Sequence, residues 1–176
     1  DTAVERILNI VFKFADNRQE GKFDREKDHK LAGKIAAESM VLLKNEGILP
    51  LKAQGQKIAF IGKFADKPRF QGGGSSHINS FKVTSALDAV KEVAEVTYAQ
   101  GYDVKEDKID EALLAEAVQT AREADVAVIF AGLPDAFESE GYDRRHMRMP
   151  DCQNALISRI AQVQKLSLIH ISEPTR

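Results

Sequence analysis

A single cysteine, Cys152, occurs in the 176 residues, so no internal disulfide can form and no pair of thiolates is available to a metal. One thiol suits a reducing compartment without requiring it; near the start of a helix pattern it reads as a small, partly buried residue. Charge of either sign is barely in excess: 25 Lys and Arg against 27 Asp and Glu give a formal net charge of -2, and the pI is near 6.1. Neither nucleic acid nor an anionic membrane finds an electrostatic attraction there, and a small neutral molecule is the better match. No apolar run reaches the roughly 18 residues of a membrane span. The opening Asp1-Thr2-Ala3-Val4-Glu5-Arg6 lacks the basic start and apolar core of a secretory signal, which makes a cytoplasmic location the expectation. Internal repeats, low-complexity tracts and a G-x-S-x-G elbow are also missing, and His77 and His146 stand too far apart in sequence to suggest a metal pair. No metal or other cofactor is expected.

What is present can bury one core, with 43% of residues hydrophobic and 30% charged. Val4, Ile7, Leu8, Val11 and Phe12 recur at helical spacing and predict an amphipathic helix over 2–14. Residues 16–27 are polar, with Asn17 and Gly21 breaking any period, and read as a linker and domain boundary. From Asp28 as N-cap to Gly47 as stop, Leu31, Ile35, Met40, Leu42 and Leu43 predict a long helix, whose Ala32, Gly33, Ala36 and Ala37 would let it lie close against a sheet. Strands are predicted at 57–62, 95–99 and 126–130. Helices are predicted at 84–93, capped by Thr84 or Ser85, at 109–124, and at 150–163. Such alternation argues for an α/β fold, a three-layer sandwich with a mostly parallel sheet and helices on both faces.

Two constellations could carry chemistry. Glu138-Ser139-Glu140-Gly141-Tyr142-Asp143-Arg144 follows the most apolar strand, at whose carboxyl end open α/β sheets keep their ligands. Paired carboxylates can divide acid and base roles when their environments differ, and Glu138 and Glu140 would share a face if the segment were extended. Tyr142 could contact a sugar ring, while Asp143 beside Arg144 could fix the loop or bind hydroxyl groups. A solvated loop without a task fits the same residues. The second constellation, Gly72-Gly73-Gly74-Ser75-Ser76-His77, matches phosphate loops poorly, since no helix opens on it and no Gly-Lys-Ser/Thr follows. It reads either as a polar loop offering Ser and His groups to a hydroxylated ligand or as a turn that needs glycine for its geometry.

Taken together, Ala36-Ala37-Glu38-Ser39-Met40-Val41-Leu42-Leu43-Lys44-Asn45, Lys57 to Gly62, Pro68 to His77, and Gly132-Leu133-Pro134 with Glu138 to Arg144 resemble the second domain of family 3 glycoside hydrolases, the β-glucosidase type. The resemblance covers about residues 1–165. It implies a six-stranded α/β sandwich beside an N-terminal (β/α)8 barrel of the same parent chain, residues 1–15 being the last barrel helix, 16–27 the linker and 28–165 the truncated sandwich. It implies retaining hydrolysis of terminal β-linked glucose or related sugars, so that the partners are a small carbohydrate and the barrel. The nucleophile would be a barrel aspartate, and the acid/base Glu140 or, as alternate, Glu138. Arg69, Ser75, Ser76, His77 and Tyr142 would bind substrate, with Asp143 and Arg144 ordering the loop. Since a barrel takes about 250 residues, the fragment is expected to be inactive alone. A non-catalytic sugar- or nucleotide-binding module is the alternative. For residues 166–176 two readings stand: a fourth strand beginning near Leu166, or a foreign tail resembling translated adaptor sequence. The second is preferred, and His170 is given no role.

Overall fold

Two units of unlike character make up the chain, Asp1–Leu42 and Leu43–Arg176, in a computed structural model that describes residues 1–165 and 167–172. The first holds helices α1 (Thr2–Asp16) and α2 (Arg25–Glu38), neither of which has a buried residue. The apolar stripe of α1 is where the periodicity puts it, yet Ile7 is 63% and Phe12 59% exposed.

Helix α2 corrects the expected limits. Its N-cap is Asp24, whose Oδ1 accepts the N–H groups of Glu26 and Lys27 at 3.1 Å each, leaving Asp28 inside the first turn. It ends at Ser39, whose hydroxyl donates back to the Ile35 carbonyl at 2.7 Å, a local bond that competes with further winding. Gly47 stops no helix. It belongs to a turn in which Asn45 Oδ1 accepts from the amides of Gly47 and Leu49. Residues 17–24 separate α1 from α2, and both helices lie in the first unit.

In the second unit, strands β1 (Ile58–Ile61), β2 (Val96–Ala99), β3 (Val126–Gly132) and β4 (Ser167–Ser172) form one parallel sheet in the order β2-β1-β3-β4. Alternate residues go to opposite faces. Ala59, Ile61, Ala127 and Ile129 pack with Leu114, Ala117 and Ala121 of α5 (Glu111–Glu123) and with Leu156 and Ile160 of α6 (Asp151–Val163). Ile58, Phe60, Val126 and Val128 form the other cluster, with Ala65 of the one-turn α3 (Lys63–Asp66) and Leu87 of α4 (Ala86–Val90). The structure is the three-layer α/β sandwich that the alternation predicts. Four strands lie among the described residues, where the resemblance implies six for the whole sandwich. Ser85, the second of the two proposed caps, caps α4. The predicted loop from 63 to 82 contains α3 and a single 3-10 turn, Gly74–Ser76.

Of the tail, Ser167–Ser172 runs from Ser167 opposite Ala127 to Ser172 opposite Gly132, so the fourth-strand alternative describes its backbone; Leu166 and residues 173–176 lie outside the described residues. Helix α6 starts at Pro150, which has no side chain able to cap, and the cap comes from a distant loop: Asp107 accepts the amides of Asp151 and Cys152, both at 2.9 Å. Burial works to raise the Asp107 carboxyl, but the bonds from Cys152 and Asp151 and the charge of His146 hold it below its ordinary value. Cys152 is buried as expected, and burial first, then the neighbouring Asp107 carboxylate, push its thiol up to about 12.

Candidate active site

The carboxyl end of β3 is pinned before the charged loop begins. Tyr102 donates its hydroxyl proton to the Phe130 carbonyl at 2.8 Å. Gln153, fully enclosed, donates Nε2–H to the Gly132 carbonyl at 2.8 Å and accepts the Gly132 N–H at 3.0 Å. A buried amide with both ends satisfied fixes the direction in which the chain leaves the sheet.

Arg69 takes over one residue later. Its Nη1 donates to the Leu133 carbonyl, and its Nη2 to both the carbonyl and Oε2 of Glu138, each at 2.8 Å. Asp135 Oδ1 lies 2.7 Å from Nε as an ion pair but without the alignment of a hydrogen bond, so Nε donates none. The Arg69 and Glu138 side chains are only 7% and 12% exposed, that of Asp135 68%. Glu138 is therefore a half-buried counter-ion.

Two residues on, the chain reverses. Ser139 and Tyr142 face each other in an isolated antiparallel bridge, and Gly141 has φ 98°, so Glu140 stands at the exposed tip of a tight turn. The Tyr142 hydroxyl donates to the Asp135 carbonyl and closes the turn from outside. The glycine run supports it from beneath. A Cβ on Gly73 would stand 2.4 Å from Ser139 Oγ, and one on Gly74, which has φ 82°, 2.4 Å from Glu140 Cβ. Glycine is thus required by close approach of two loops, beyond the turn geometry that the sequence suggests, and the approach lets the Ser75 N–H donate to Glu140 Oε2 at 2.5 Å.

The structure separates residues that the sequence grouped. Glu138 and Glu140 do not share a face: one points into the protein at Arg69, the other lies over the glycine run. Arg69 borders a cleft of about 490 Å³ with His77, Phe70, Lys67, Lys105 and Pro134, but its three hydrogen bonds all go to the 133–138 segment. Ser75 reaches Glu140 through its backbone, and Ser76 Oγ donates to the Gly73 carbonyl at 3.3 Å. Tyr142 is 46% exposed beside Glu140. Asp143 is exposed, and Arg144 donates to the Arg148 carbonyl at 3.3 Å. Asp135, Tyr102 and Gln153 have site-building roles that nothing in their sequence surroundings marks, while Ser139 lies within the charged loop already singled out. Among the described residues, no group of three or more His, Cys, Asp or Glu is placed to hold a metal.

The chain is similar to known proteins in sequence and fold. The sequence model of the glycosyl hydrolase family 3 C-terminal domain matches residues 40–175. Thermostable beta-glucosidase B of Acetivibrio thermocellus is 49% identical over 168 residues, which are 92% of this chain and 22% of that protein. The exo-alpha-(1->6)-L-arabinopyranosidase of Bifidobacterium longum is 44% identical over 161 residues, 86% of this chain and 21% of that protein. The crystal structure of a Bifidobacterium adolescentis GH3 beta-glucosidase superposes with a TM-score of 0.85 at 41% identity, covering 93% of this chain and 24% of that one. The chain thus spans about a fifth of the length of the curated relatives it matches. Because that family's sequence model covers more than half of the chain, the chain belongs to the glycosyl hydrolase family 3 C-terminal domain family.

Proposed function

We propose that this domain supplies the acid/base carboxyl, Glu140, to a retaining glycoside hydrolase that removes terminal β-linked glucose or related sugars. An aspartate of an N-terminal (β/α)8 barrel in the same parent chain is the nucleophile. The observation that carries the assignment is the contrast between the two glutamates: Glu138 is enclosed by Arg69, whereas Glu140 is exposed at a turn tip and oriented by a backbone amide. Retention needs two carboxyl groups about 5 to 5.5 Å apart. As the barrel carboxylate attacks the anomeric carbon, Glu140 passes its proton to the departing oxygen. It then removes a proton from the water that hydrolyses the glycosyl-enzyme. The Ser75 N–H donates to one oxygen of the carboxyl group and orients it.

The names of the relatives support this class of substrate. A β-glucoside and an α-L-arabinopyranoside both present an equatorial anomeric oxygen, so one acid/base position serves both, and the barrel selects the sugar. In the parent enzyme, Glu140→Gln is expected to slow alkyl β-glucosides at least about a hundredfold, the lower range of acid–base assistance, and activated aryl glucosides far less in their glycosylation step. Equal slowing of both would transfer the role to Glu138 or elsewhere. The 176-residue chain alone, which on this reading lacks the nucleophile, is expected to release no 4-nitrophenol from 4-nitrophenyl β-glucoside, and measurable release would refute that.

A further inference from the structure

The residue that places Glu140 is found by asking what holds its loop. Arg69 turns its guanidinium to one short segment: Nη1 donates to Leu133, Nη2 donates twice to Glu138, and the Asp135 carboxylate lies beside Nε as an ion pair only. At 7% side-chain exposure it keeps little surface for a ligand, unlike an arginine that binds substrate directly. The same stretch of chain continues into Gly73, Gly74 and Ser75, which touch Ser139 and Glu140. Segments 64 to 69 positions apart are therefore docked twice, once by the guanidinium at 133–138 and once by the glycine cradle at 139–140.

We propose that Arg69 is a positioning residue for Glu140, acting through the loop it clamps, with Glu138 as its enclosed counter-ion. This rests on the acid/base reading of Glu140 given above. The planar fork is what the role requires, because two carbonyls and a carboxylate lie around it in fixed directions that a single ammonium cannot serve at once. The charge balance requires Glu138. Removing either partner strands an enclosed charge, which must then find water, and the loop opens to supply it. Placement at this level matters to catalysis, since a misplacement of about 1 Å can cost on the order of a hundredfold in rate.

The test uses the 176-residue chain labelled with nitrogen-15 and follows the Ser75 amide through a pH titration. In the wild type that proton reports the ionisation of Glu140, to which it is bonded, and Glu140→Gln abolishes the response and so identifies it. Arg69→Met is expected to abolish it too, while the amides of Ala127, Val128 and Ile129 keep their shifts. Arg69→Lys, which retains charge without the fork, is expected to lose most of it, and it decides the matter if Arg69→Met does not fold. A Ser75 amide that titrates as in the wild type in either folded variant overturns the proposal. Loss of the response stands whatever the leaving-group kinetics of Glu140→Gln show, so the positioning role and the acid/base role fail separately.

Discussion

Helices α1 and α6 carry the same kind of apolar stripe and meet opposite fates. In α6, Leu156 and Ile160 are fully buried against the sheet, while Ile7 and Phe12 of α1 are more than half exposed. Both patterns announce a face to be covered; only the sheet beside α6 belongs to the structure described. Amphipathic spacing thus prescribes burial without naming the covering surface, and the energetic weight of a residue follows the surface.

That difference is open to measurement. The largest effect is expected from Leu156→Ala, which would empty a closed part of the core and cost about 2–5 kcal/mol in urea unfolding. Gly74→Ala comes next: a side chain at φ 82° pressed on Glu140 Cβ is expected to cost about 1–3 kcal/mol and to weaken the Ser75 contact. Asp107→Ala removes the borrowed cap of α6 and is expected to cost about 1 kcal/mol. Because the folded carboxyl is held below its unfolded value, that stabilisation is complete above the unfolded pKa near 3.9 and disappears as pH falls through the folded one. Wild type and variant should therefore converge in thermal midpoint in acid. The smallest effect belongs to Phe12→Ala on the open face of α1, expected to stay within about 0.5 kcal/mol. An effect of Phe12→Ala matching that of Leu156→Ala would break the comparison by showing that α1 is covered in solution.

How much could be read beforehand follows from the range of the interactions involved. The strands, α5 and α6 were legible because period and composition are local signals, as in Val126 to Phe130 or Leu156 and Ile160. The limits of α2 were not: Asp24 and Asp28 are both good caps, and the choice depends on which carboxylate meets the free amides. At the site, the charged loop and the glycine run were visible as unusual stretches, but their embrace was not. Nothing near Arg69 in the sequence says that its partners are Leu133 and Glu138, and nothing near Gly74 says that Glu140 lies against it. The pairing of Asp107 with α6 is equally non-local. Three-dimensional contact separates two glutamates that the sequence sets side by side, one against Arg69 and one over the glycine run.

Cys152 adds a practical consequence. It is the chain's sole thiol, enclosed at the first turn of α6 and held protonated at neutral pH by its surroundings. Thiol reagents attack the thiolate, so in the closed domain they find almost none, and labelling must wait for α6 to lift from the sheet. The mass increase of the unmodified protein with time therefore becomes a clock for that opening event, obtained without introducing a probe.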